Sequence, residues 1–290
     1  MSLLRTDLAV ESAAQYQSNL PNGVTVEELD CAGTKLTRVV ITNDDAAQKL
    51  GRAQGKYVTI ELPSVAGSVD PSDDVTHLLA KELAGMLPAQ GAVLVVGLGN
   101  EQITPDALGP QAAHQIFATR HIPAQVAEQT SLTGLRPVAS IAPGVLGQTG
   151  IETGEIIRSI VRDLQPAAVI VIDAFASSSL ERLGRTVQLA DCGISPGSGV
   201  LNARKELSRS SLGVPVVSIG IPTVVDSGTL ACELLGCEDE QKVAPEARAM
   251  MVTPRDIDAI IKRGAKHLSL AINSALQPQL SLEDITYLVS

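Results

Sequence analysis

The chain has 290 residues, of which 44% are hydrophobic and 19% charged, and its formal net charge is -10. This composition is typical of a folded globular protein and excludes a disordered one, and the acidic balance leaves no basic face for direct nucleic-acid binding. The apolar runs are far shorter than the roughly 20 residues that a membrane-spanning helix needs, and the N-terminus lacks the apolar core of a signal peptide, so no membrane association is expected.

Residues 8–70 are predicted to be rich in β-structure, because apolar and polar residues partly alternate over Leu36–Thr42 and Lys56–Leu62. From Asp73 the apolar residues recur at helical spacing, which predicts a helix over residues 73–87. Apolar runs and helical patterns then alternate. The predicted elements are a strand over Ala92–Val96, a helix from about Asp106, a helix over Glu152–Leu164, a strand over Ala167–Ala174, a strand over Val214–Gly220, a helix from about Asp226, and a helix over Pro254–Leu276 with Thr253 as its N-cap.

Apolar strands that alternate with helices predict an α/β fold with a mostly parallel or mixed central sheet flanked by helices. In that architecture ligands and catalytic groups collect at the carboxyl ends of the strands. Polar residues follow three of the predicted strands, at Gly97–Asp106, at Asp173 and at Ile221–Asp226. These clusters are the candidate functional sites.

The stretch GLGNEQITPDALGP, residues 97–110, has the composition of either a phosphate-binding loop or a strand-to-helix turn. A dinucleotide fingerprint requires a third glycine for close packing of helix on strand, and Gln102 stands at that position. The chain also contains no Gly-Lys-Ser/Thr for a P-loop. Gly97 and Gly99 are therefore interpreted as serving the turn.

The sequence GISPG, residues 193–197, matches the Gly-x-Ser-x-Gly nucleophile elbow, and Ser195, Asp226 and His267 follow in the chain order of a triad. The residue after the serine of an elbow donates its backbone N–H to the oxyanion, and Pro196 has no N–H to donate. A rigid loop is therefore favoured over a serine nucleophile.

The four cysteines and four scattered histidines indicate neither a disulfide framework nor a zinc site. Cys232 and Cys237, the nearest pair, lack Cys-x-x-Cys spacing. We therefore expect reduced thiols in a cytoplasmic protein, and no metal or other cofactor.

The candidate catalytic groups are the carboxylates of Asp106 and Asp173. Thr104, Pro105 and Asp106 are interpreted as the N-cap and first two positions of a helix, where an acid has the simple role of complementing the helix dipole. Asp173 follows a buried strand, where a carboxylate is costly unless it is paired, hydrogen-bonded or neutral. Its alternative role is that of a satisfied structural acid.

If the strands of Val93 and Ile172 are neighbours, both acids face one crevice and can hold one water molecule between them. One carboxylate then removes a proton from the water, while the other, protonated, hydrogen-bonds the carbonyl under attack. A helix N-terminus favours the ionised form of Asp106, and burial favours the neutral form of Asp173. We therefore expect Asp106 to be the base and Asp173 the acid.

Longer blocks of sequence carry a more specific pattern. They are Arg5–Glu11 (RTDLAVE), Val95–Pro110, Ala118–Ile122, Arg136–Thr153, Val169–Arg182, Asp191–Arg204, Gly220–Asp226 and Met251–Asp258. In this order the blocks resemble the germination protease family of spore-forming bacteria, endopeptidases that degrade small acid-soluble spore proteins. The resemblance extends from Arg5 to about Leu276.

The resemblance implies an aspartic-type endopeptidase without a cofactor, whose catalytic aspartates are Asp106 in the TPDALGP block and Asp173 in the Ile-Asp-Ala block. It also implies a fold similar to the phosphorylase/hydrolase-like scaffold of hydrogenase maturation endopeptidases. Ser195 departs from the family, in which histidine occupies this position, and the departure also argues against a serine nucleophile.

Members of the family are made as homotetrameric zymogens in the forespore and trim their own N-terminus at the RTDLAVE block. The resemblance therefore implies cleavage near Asp7–Leu8, a short propeptide over residues 1–7 and a single protease domain over residues 8–290. The implied partners are small acid-soluble spore proteins, encountered as substrates in the cytoplasm of the forespore or spore core. These substrates coat DNA, and an acidic enzyme is expected to meet them as they dissociate.

Two alternatives stay open. A metal-assisted maturation endopeptidase of the hydrogenase-maturation type needs ligands near the aspartates, whereas His114 and His121, which follow Asp106, are interpreted as helix or loop residues. A non-catalytic module would use the same strand-end pocket to bind a small ligand without turnover.

Overall fold

The computed structural model describes residues 6–17, 19–31, 33–62, 74–123, 125, 129, 133–195, 205–236 and 250–289. Within them the strands are β1 Val24–Cys31, β2 Thr34–Ile41, β3 Gly55–Glu61, β4 Val93–Gly97, β5 Val138–Ile141, β6 Ala168–Ser177, β7 Thr186–Ala190, β8 Val216–Asp226 and β9 Met251–Val252. They form a sheet in the order β1-β2-β3-β7-β8-β6-β4-β5, and β9 pairs with the end of β8.

The helices of the described residues flank this sheet. They are α1 Ala9–Ala14, α2 Asp44–Leu50, α3 Asp74–Ala84, α4 Leu108–Ala113, α5 Leu146–Thr149, α6 Thr153–Leu164, α7 Arg209–Leu212, α8 Ser227–Leu235, α9 Ile257–Leu276 and α10 Leu282–Val289, with short 3-10 turns at Thr104–Asp106 and Leu180–Arg182. Among these helices, none combines the length and the apolar character that crossing a bilayer requires.

The sheet is mixed, as predicted. β4 pairs in parallel with β5 and β6, and β6 pairs in parallel with β8. β1, β2, β3, β7 and β8 are joined by antiparallel pairing. The predicted adjacency of the strands of Val93 and Ile172 is confirmed, because Gly97 at the end of β4 pairs with Ile172 in β6.

The strand β6 is buried on both faces. Ile170 and Ile172 face a cluster that α3, α4 and α9 cover, whereas Val169 and Val171 face a second cluster that α6 covers. Burial on both sides explains why this strand is a continuous apolar run in the sequence. Because helices cover both faces, the strand ends are the open part of the sheet.

Asp173 lies inside β6 rather than at its end, which corrects the predicted strand boundary. β6 continues to Ser177 because β8 pairs with it along this stretch. β4, on the other side, stops at Gly97 opposite Ile172. Asp173 is therefore the first residue of β6 beyond the end of β4, and it still lies at the open edge of the sheet.

The long C-terminal helix begins at Ile257, and the prediction of Thr253 as its N-cap is wrong. Asp256 occupies the N-cap position. Thr253 instead donates its hydroxyl to the carbonyl oxygen of Thr223 at 2.8 Å. A tertiary hydrogen bond thus takes the hydroxyl that the local pattern had assigned to capping.

Glu82 of α3 has a buried carboxylate that two cations on the sheet neutralise. Arg38 Nη2 lies 2.7 Å and Lys56 Nζ 3.4 Å from its oxygens. Burial raises the pKa of Glu82, but the hydrogen bond and charge of Arg38, together with those of Lys56, outweigh it and hold the pKa below its ordinary 4.5. Because folding lowers the pKa of Glu82, its ionised carboxylate stabilises the fold at pH values above the ordinary pKa. This stabilisation disappears as the pH falls through the folded-state pKa.

Glu82→Gln is expected to lower the free energy of unfolding at neutral pH by about 1–3 kcal/mol, because Arg38 and Lys56 lose their buried carboxylate and Arg38 keeps only the exposed Glu27 among the described residues. The parent and the variant should converge as the pH falls from 4.5, the ordinary pKa of the group, through its lower folded-state pKa, below which the parent carboxylate is protonated as well. Urea unfolding from neutral pH down to about pH 3 measures both effects.

Glu28→Gln is the matched control, because Glu28 pairs with Lys35 where both side chains are exposed. This control is expected to change the free energy of unfolding by less than about 0.5 kcal/mol. A difference between parent and Glu82→Gln that stays constant at every pH would contradict the role assigned to the Glu82 charge.

Candidate active site

Asp106 and Asp173 line the same cavity, which has a volume of about 350 Å³ and lies beyond the carboxyl end of β4, beside the middle of β6. Most of the remaining lining is apolar and includes Leu98, Ile103, Pro105, Leu207, Val224 and Met251. The structure thus brings together the two acids that sequence analysis selected, although 67 positions (173 − 106) separate them in the chain. A mostly apolar pocket with a few convergent polar groups is the usual form of an active site.

Asp106 ends the 3-10 turn Thr104–Asp106, whose N-cap position is occupied by Ile103 rather than by Thr104 as predicted. The turn is tighter than an α-helix, because the N–H of Asp106 donates to the carbonyl oxygen of Ile103 at 2.8 Å. Asp106 Oδ2 accepts the backbone N–H of Asn100 at 2.7 Å. The carboxylate is therefore oriented by the loop that leaves β4.

Gly99 makes this loop possible. Its φ is +119°, and a Cβ at this position would lie 2.0 Å from the carbonyl oxygen of Asp106 and 3.1 Å from Oδ1 of the same residue. Any other residue would collide with the turn that carries the acid. The interpretation of this glycine as serving a turn is confirmed.

Gly97 and Gly109 let the backbone of α4 rest directly on the strand ends. A Cβ on Gly97 would lie 2.1 Å from the carbonyl oxygen of Gly109. A Cβ on Gly109 would lie 2.1 Å from the carbonyl oxygen of Leu98 and 2.6 Å from that of Ile172. This direct packing of backbone on backbone fixes the position of α4, and of the turn of Asp106 before it, relative to β6.

Asp173 is buried, with a relative exposure of 7%. Its Oδ1 accepts the backbone N–H of Ala174 at 2.9 Å, so part of its hydrogen-bonding capacity is met within β6 itself. A rigid central strand thus positions this carboxyl group, whereas a loop and a turn position Asp106.

Thr223 connects β8 to the turn of Asp106. In the β6–β8 register Phe175 pairs with Pro222 and Ala176 with Val224, so Thr223 is the extra residue of a β-bulge. Its Oγ1 donates to the carbonyl oxygen of Pro105 at 2.8 Å. Sequence analysis placed this residue in a polar cluster, but no local signal indicated the bulge or its contact.

The residues of the rejected serine triad have other surroundings. Ser195 lines a different cavity, of about 300 Å³, and Pro196 lies outside the described residues. Asp226 Oδ1 accepts the backbone N–H groups of Gly228 and Thr229, which makes Asp226 the cap of α8. His267 is buried in α9. The arrangement gives no support to a serine nucleophile.

Cys192 lines the same second cavity as Ser195. Burial raises the pKa of its thiol, and the negative charges of Asp191 and Glu206 raise it further. A cysteine nucleophile requires the opposite shift, toward the thiolate. Cys31 and Cys192 are free thiols, and Cys237 lies outside the described residues.

A metal centre requires several donor side chains that converge on one point. Among them, no group of three or more His, Cys, Asp or Glu side chains is placed to hold a metal ion. His114, considered above as a residue near Asp106, lies with its Nδ1 3.6 Å from Glu101 Oε1 at an exposed position. The donor sets described here therefore do not fit a metal centre.

The described part of the RTDLAVE block, residues 6–11, packs against β6 and β7. The N–H of Asp7 donates to the carbonyl oxygen of Ala176, and the N–H of Ala176 donates to Asp7 Oδ2, both at 2.8 Å. Gln188 of β7 donates to the carbonyl oxygen of Asp7 at 2.9 Å and accepts the N–H of Ala9 at 2.7 Å. Leu8, between them, is fully buried.

Glu11 fastens the same segment further along. Its carboxylate is buried and accepts hydrogen bonds from the hydroxyl of Ser177 and from the N–H and hydroxyl of Ser178, at 2.7–2.8 Å. Arg182 Nε lies 3.5 Å from it. The segment is thus an integral part of the structure, and Asp7 faces the second cavity rather than the one shared by Asp106 and Asp173.

Comparison with known proteins identifies a family. A family model described as germination protease matches residues 4–236. The germination protease of Clostridium perfringens (strain ATCC 13124) is 41% identical over 97% of this chain and 98% of the relative. That of Bacillus velezensis is 35% identical over 97% of this chain and 95% of the relative.

The chain is also similar to a solved structure, a [NiFe] hydrogenase maturation protease from Thermococcus kodakarensis, with 16% identity and a TM-score of 0.37 over 66% of this chain and 98% of that chain. The resemblance seen in the sequence blocks is confirmed by the family match and by the relatives, which extend over nearly the whole chain. The chain therefore belongs to the germination protease family, a family of peptidases.

Proposed function

We propose that the protein is an aspartic-type endopeptidase in which Asp106 and Asp173 activate a water molecule. The observation that carries the proposal is the shared cavity, into which a loop and a central strand bring the two carboxyl groups. Asp106 accepts a proton from the water molecule as the water oxygen attacks the peptide carbonyl carbon. Protonated Asp173 donates a hydrogen bond to the carbonyl oxygen. The proton then passes from Asp106 to the leaving amine.

The surroundings of the two acids support these roles. The N–H of Asn100 points at Asp106 Oδ2, which suits a carboxylate that must accept a proton. Asp173 is nearly shielded from water, a setting that favours a neutral acid. Two carboxyl groups that hold one water molecule between them act as a unit, so the proposed roles belong to the pair.

Small acid-soluble spore proteins are the proposed substrates, and the forespore and spore core the proposed location. An enzyme with a net charge of -10 is repelled by DNA and reaches these proteins when they are free of it. A homotetrameric zymogen that trims residues 1–7 from a protease domain over residues 8–290 completes the proposal.

Digestion of a purified small acid-soluble spore protein tests this function. We expect cleavage of the free protein, slower cleavage of the DNA-bound protein, and the same rate after treatment with EDTA. Mass spectrometry of the fragments over time gives the rates. Loss of cleavage in EDTA, restored by a divalent metal, would favour the metal-assisted maturation endopeptidase instead, and binding without any fragments would favour a non-catalytic module.

Gln188→Ala is expected to accelerate self-cleavage between Asp7 and Leu8 by about 30-fold, the factor that about 2 kcal/mol represents. The amide of Gln188 binds the chain on both sides of Leu8, and two hydrogen bonds worth about 1 kcal/mol each hold this bond away from the catalytic cavity. Mass spectrometry of the intact chain during storage at mildly acidic pH follows the loss of residues 1–7.

Gln111→Ala, a change in a glutamine of α4 remote from this segment, is the control and should leave the rate unchanged. An unchanged or slower rate in Gln188→Ala would refute the restraining role of Gln188. Trimming that persists when Gln188→Ala is combined with Asp173→Asn would show that another protease makes the cut.

A further inference from the structure

Strand β8 is bonded to the supports of both acids in the cavity. Its Gly220 pairs with Asp173 of β6, so the backbone ladder between the two strands holds that acid in place. Further along β8, Thr223 Oγ1 donates to the carbonyl oxygen of Pro105, the residue before Asp106, at 2.8 Å. One strand is therefore attached both to the strand of Asp173 and to the turn of Asp106.

Thr223 is suited to this contact by its place in a bulge. The register between β6 and β8 shifts at this residue, and a bulge re-aims a side chain out of the regular alternation of its strand. Because Thr223 is only 1% exposed, little water can take the place of its hydrogen bond. The carbonyl oxygens that end a short helical turn have no N–H partner within the turn, and the Thr223 hydroxyl supplies a donor to that of Pro105.

Thr253 holds the bulge from another segment of the chain. It follows β9, which pairs with the end of β8, and its hydroxyl donates to the carbonyl oxygen of Thr223 at 2.8 Å. Thr253, Thr223 and Pro105 all line the cavity. Two successive hydrogen bonds thus run along the cavity wall and end at the residue before Asp106. A displacement of the bulge would therefore displace the turn.

Asp106 depends on such a contact because a loop and a turn carry it. Asn100 orients its carboxylate, but Asn100 belongs to the same loop and cannot fix that loop relative to β6. The packing of α4 on the strand ends fixes the chain after Asp106, and the Thr223 bond fixes the residue before it. A reacting group displaced by about 1 Å can lose about 10²-fold in rate, so this second attachment matters for a water molecule shared with Asp173.

We propose that Thr223 is a positioning residue for peptide hydrolysis. Its hydroxyl acts through the Pro105 carbonyl to set the place of Asp106 relative to Asp173, and Thr253 keeps Thr223 in its bulge. The inference rests on the proposed function, because it requires that Asp106 is catalytic. Neither hydroxyl transfers a proton in the reaction, and both act only through the position of that acid.

Thr223→Val removes the hydroxyl and keeps the branched shape of the side chain. We expect it to lower kcat for cleavage of a small acid-soluble spore protein by about 10- to 100-fold with little change in KM, because the cavity still binds the substrate while Asp106 is misplaced. Thr223→Ser restores the donor and should recover most of kcat. Thr253→Val, one hydrogen bond further from Asp106, is expected to lower kcat by about 3- to 10-fold.

Combination with Asp106→Asn distinguishes positioning from a general structural role. Once the carboxylate is gone its position no longer matters, so adding Thr223→Val should lower the residual kcat of Asp106→Asn by less than about twofold. A further loss by the same factor as in the parent would show a general structural role and contradict the inference. Full cleavage by Asp106→Asn alone would refute the proposed mechanism, and the inference with it.

Thr59→Val and Glu82→Gln are the controls. Thr59 is a buried threonine of β3 whose hydroxyl has no hydrogen-bond partner among the described residues, so its loss should leave kcat unchanged. Glu82→Gln weakens the fold outside the lining of the cavity, and kcat should again be unchanged at temperatures where thermal unfolding shows a folded protein. A parent-like kcat in Thr223→Val, or in Thr253→Val if Thr223→Val does not fold, would overturn the inference alone when Asp106→Asn is inactive.

Discussion

Asp106→Asn and Asp173→Asn are each expected to lower kcat for peptide hydrolysis by about 10²- to 10⁴-fold, with little change in KM. An amide in place of Asp106 cannot accept the proton of the attacking water. An amide in place of Asp173 is a far weaker acid than a protonated carboxyl group and stabilises the developing negative charge on the carbonyl oxygen less, although its oxygen still accepts the N–H of Ala174. The fold should therefore survive both changes, which thermal unfolding can verify.

The double variant is the sharper measurement. If the two carboxyl groups act on one water molecule, replacing both should lower kcat little more than replacing either one, because one replacement already disables the pair. Asp163→Asn is the control, since Asp163 is an exposed acid of α6 whose carboxylate lies 3.1 Å from Nε of the neighbouring Arg162. Near-normal turnover in either single variant, or strictly multiplicative losses in the double variant, would be incompatible with a shared water.

Gly109→Ala is expected to lower the free energy of unfolding by about 4 kcal/mol or more, the range of severe overpacking and backbone displacement. A single methyl group at this position would lie within 2.6 Å of the carbonyl oxygens of Leu98 and Ile172. Helix α4 would have to move away from the strand ends, and the turn of Asp106 would move with it. The peptidase activity of the variant should fall together with its stability. Urea unfolding and the rate of substrate digestion, measured on the same preparation, can show both effects.

Gly147→Ala is the matched control, because a Cβ on Gly147 in the short helix α5 would meet nothing within 4 Å. Replacing a helical glycine by alanine in open space should leave stability unchanged or raise it by up to about 1 kcal/mol. If Gly109→Ala were as stable as this control, the direct seating of α4 on the strands would not hold.

Three of the four strands that pair in parallel, β4, β6 and β8, were predictable from the sequence because they are buried on both faces, whereas the partly buried β5 was not predicted. β4 and β6 are continuous apolar runs, and such runs stand out without any knowledge of their neighbours. The antiparallel strand β7 was not predicted. Its sequence, TVQLA, contains Gln188, which is polar but buried, because its amide binds the N-terminal segment. A buried polar residue whose hydrogen bonds are made by a distant partner interrupts the apolar pattern by which its strand could be predicted.

The two candidate acids were predictable for a similar local reason. Burying an aspartate directly after an apolar strand costs free energy unless its carboxyl group is paired or neutral. Asp173 was therefore a candidate functional residue before its neighbours were known. The Pro-Asp step after a glycine turn likewise indicated a helix start at Asp106, although the helix type and the N-cap were wrong. Both signals depend only on residues adjacent in the chain.

Only the tertiary structure decided how these acids are held. Thr253 and Thr223 meet across 30 positions, Thr223 and Pro105 across 118, and Ala176 and Asp7 across 169. The local sequence pattern predicted that the Thr253 hydroxyl caps the helix, because such a pattern contains only residues that are close in the chain. Which distant carbonyl a hydroxyl reaches depends on strand register, and the register at Thr223 shifts at a β-bulge that only the closed sheet defines.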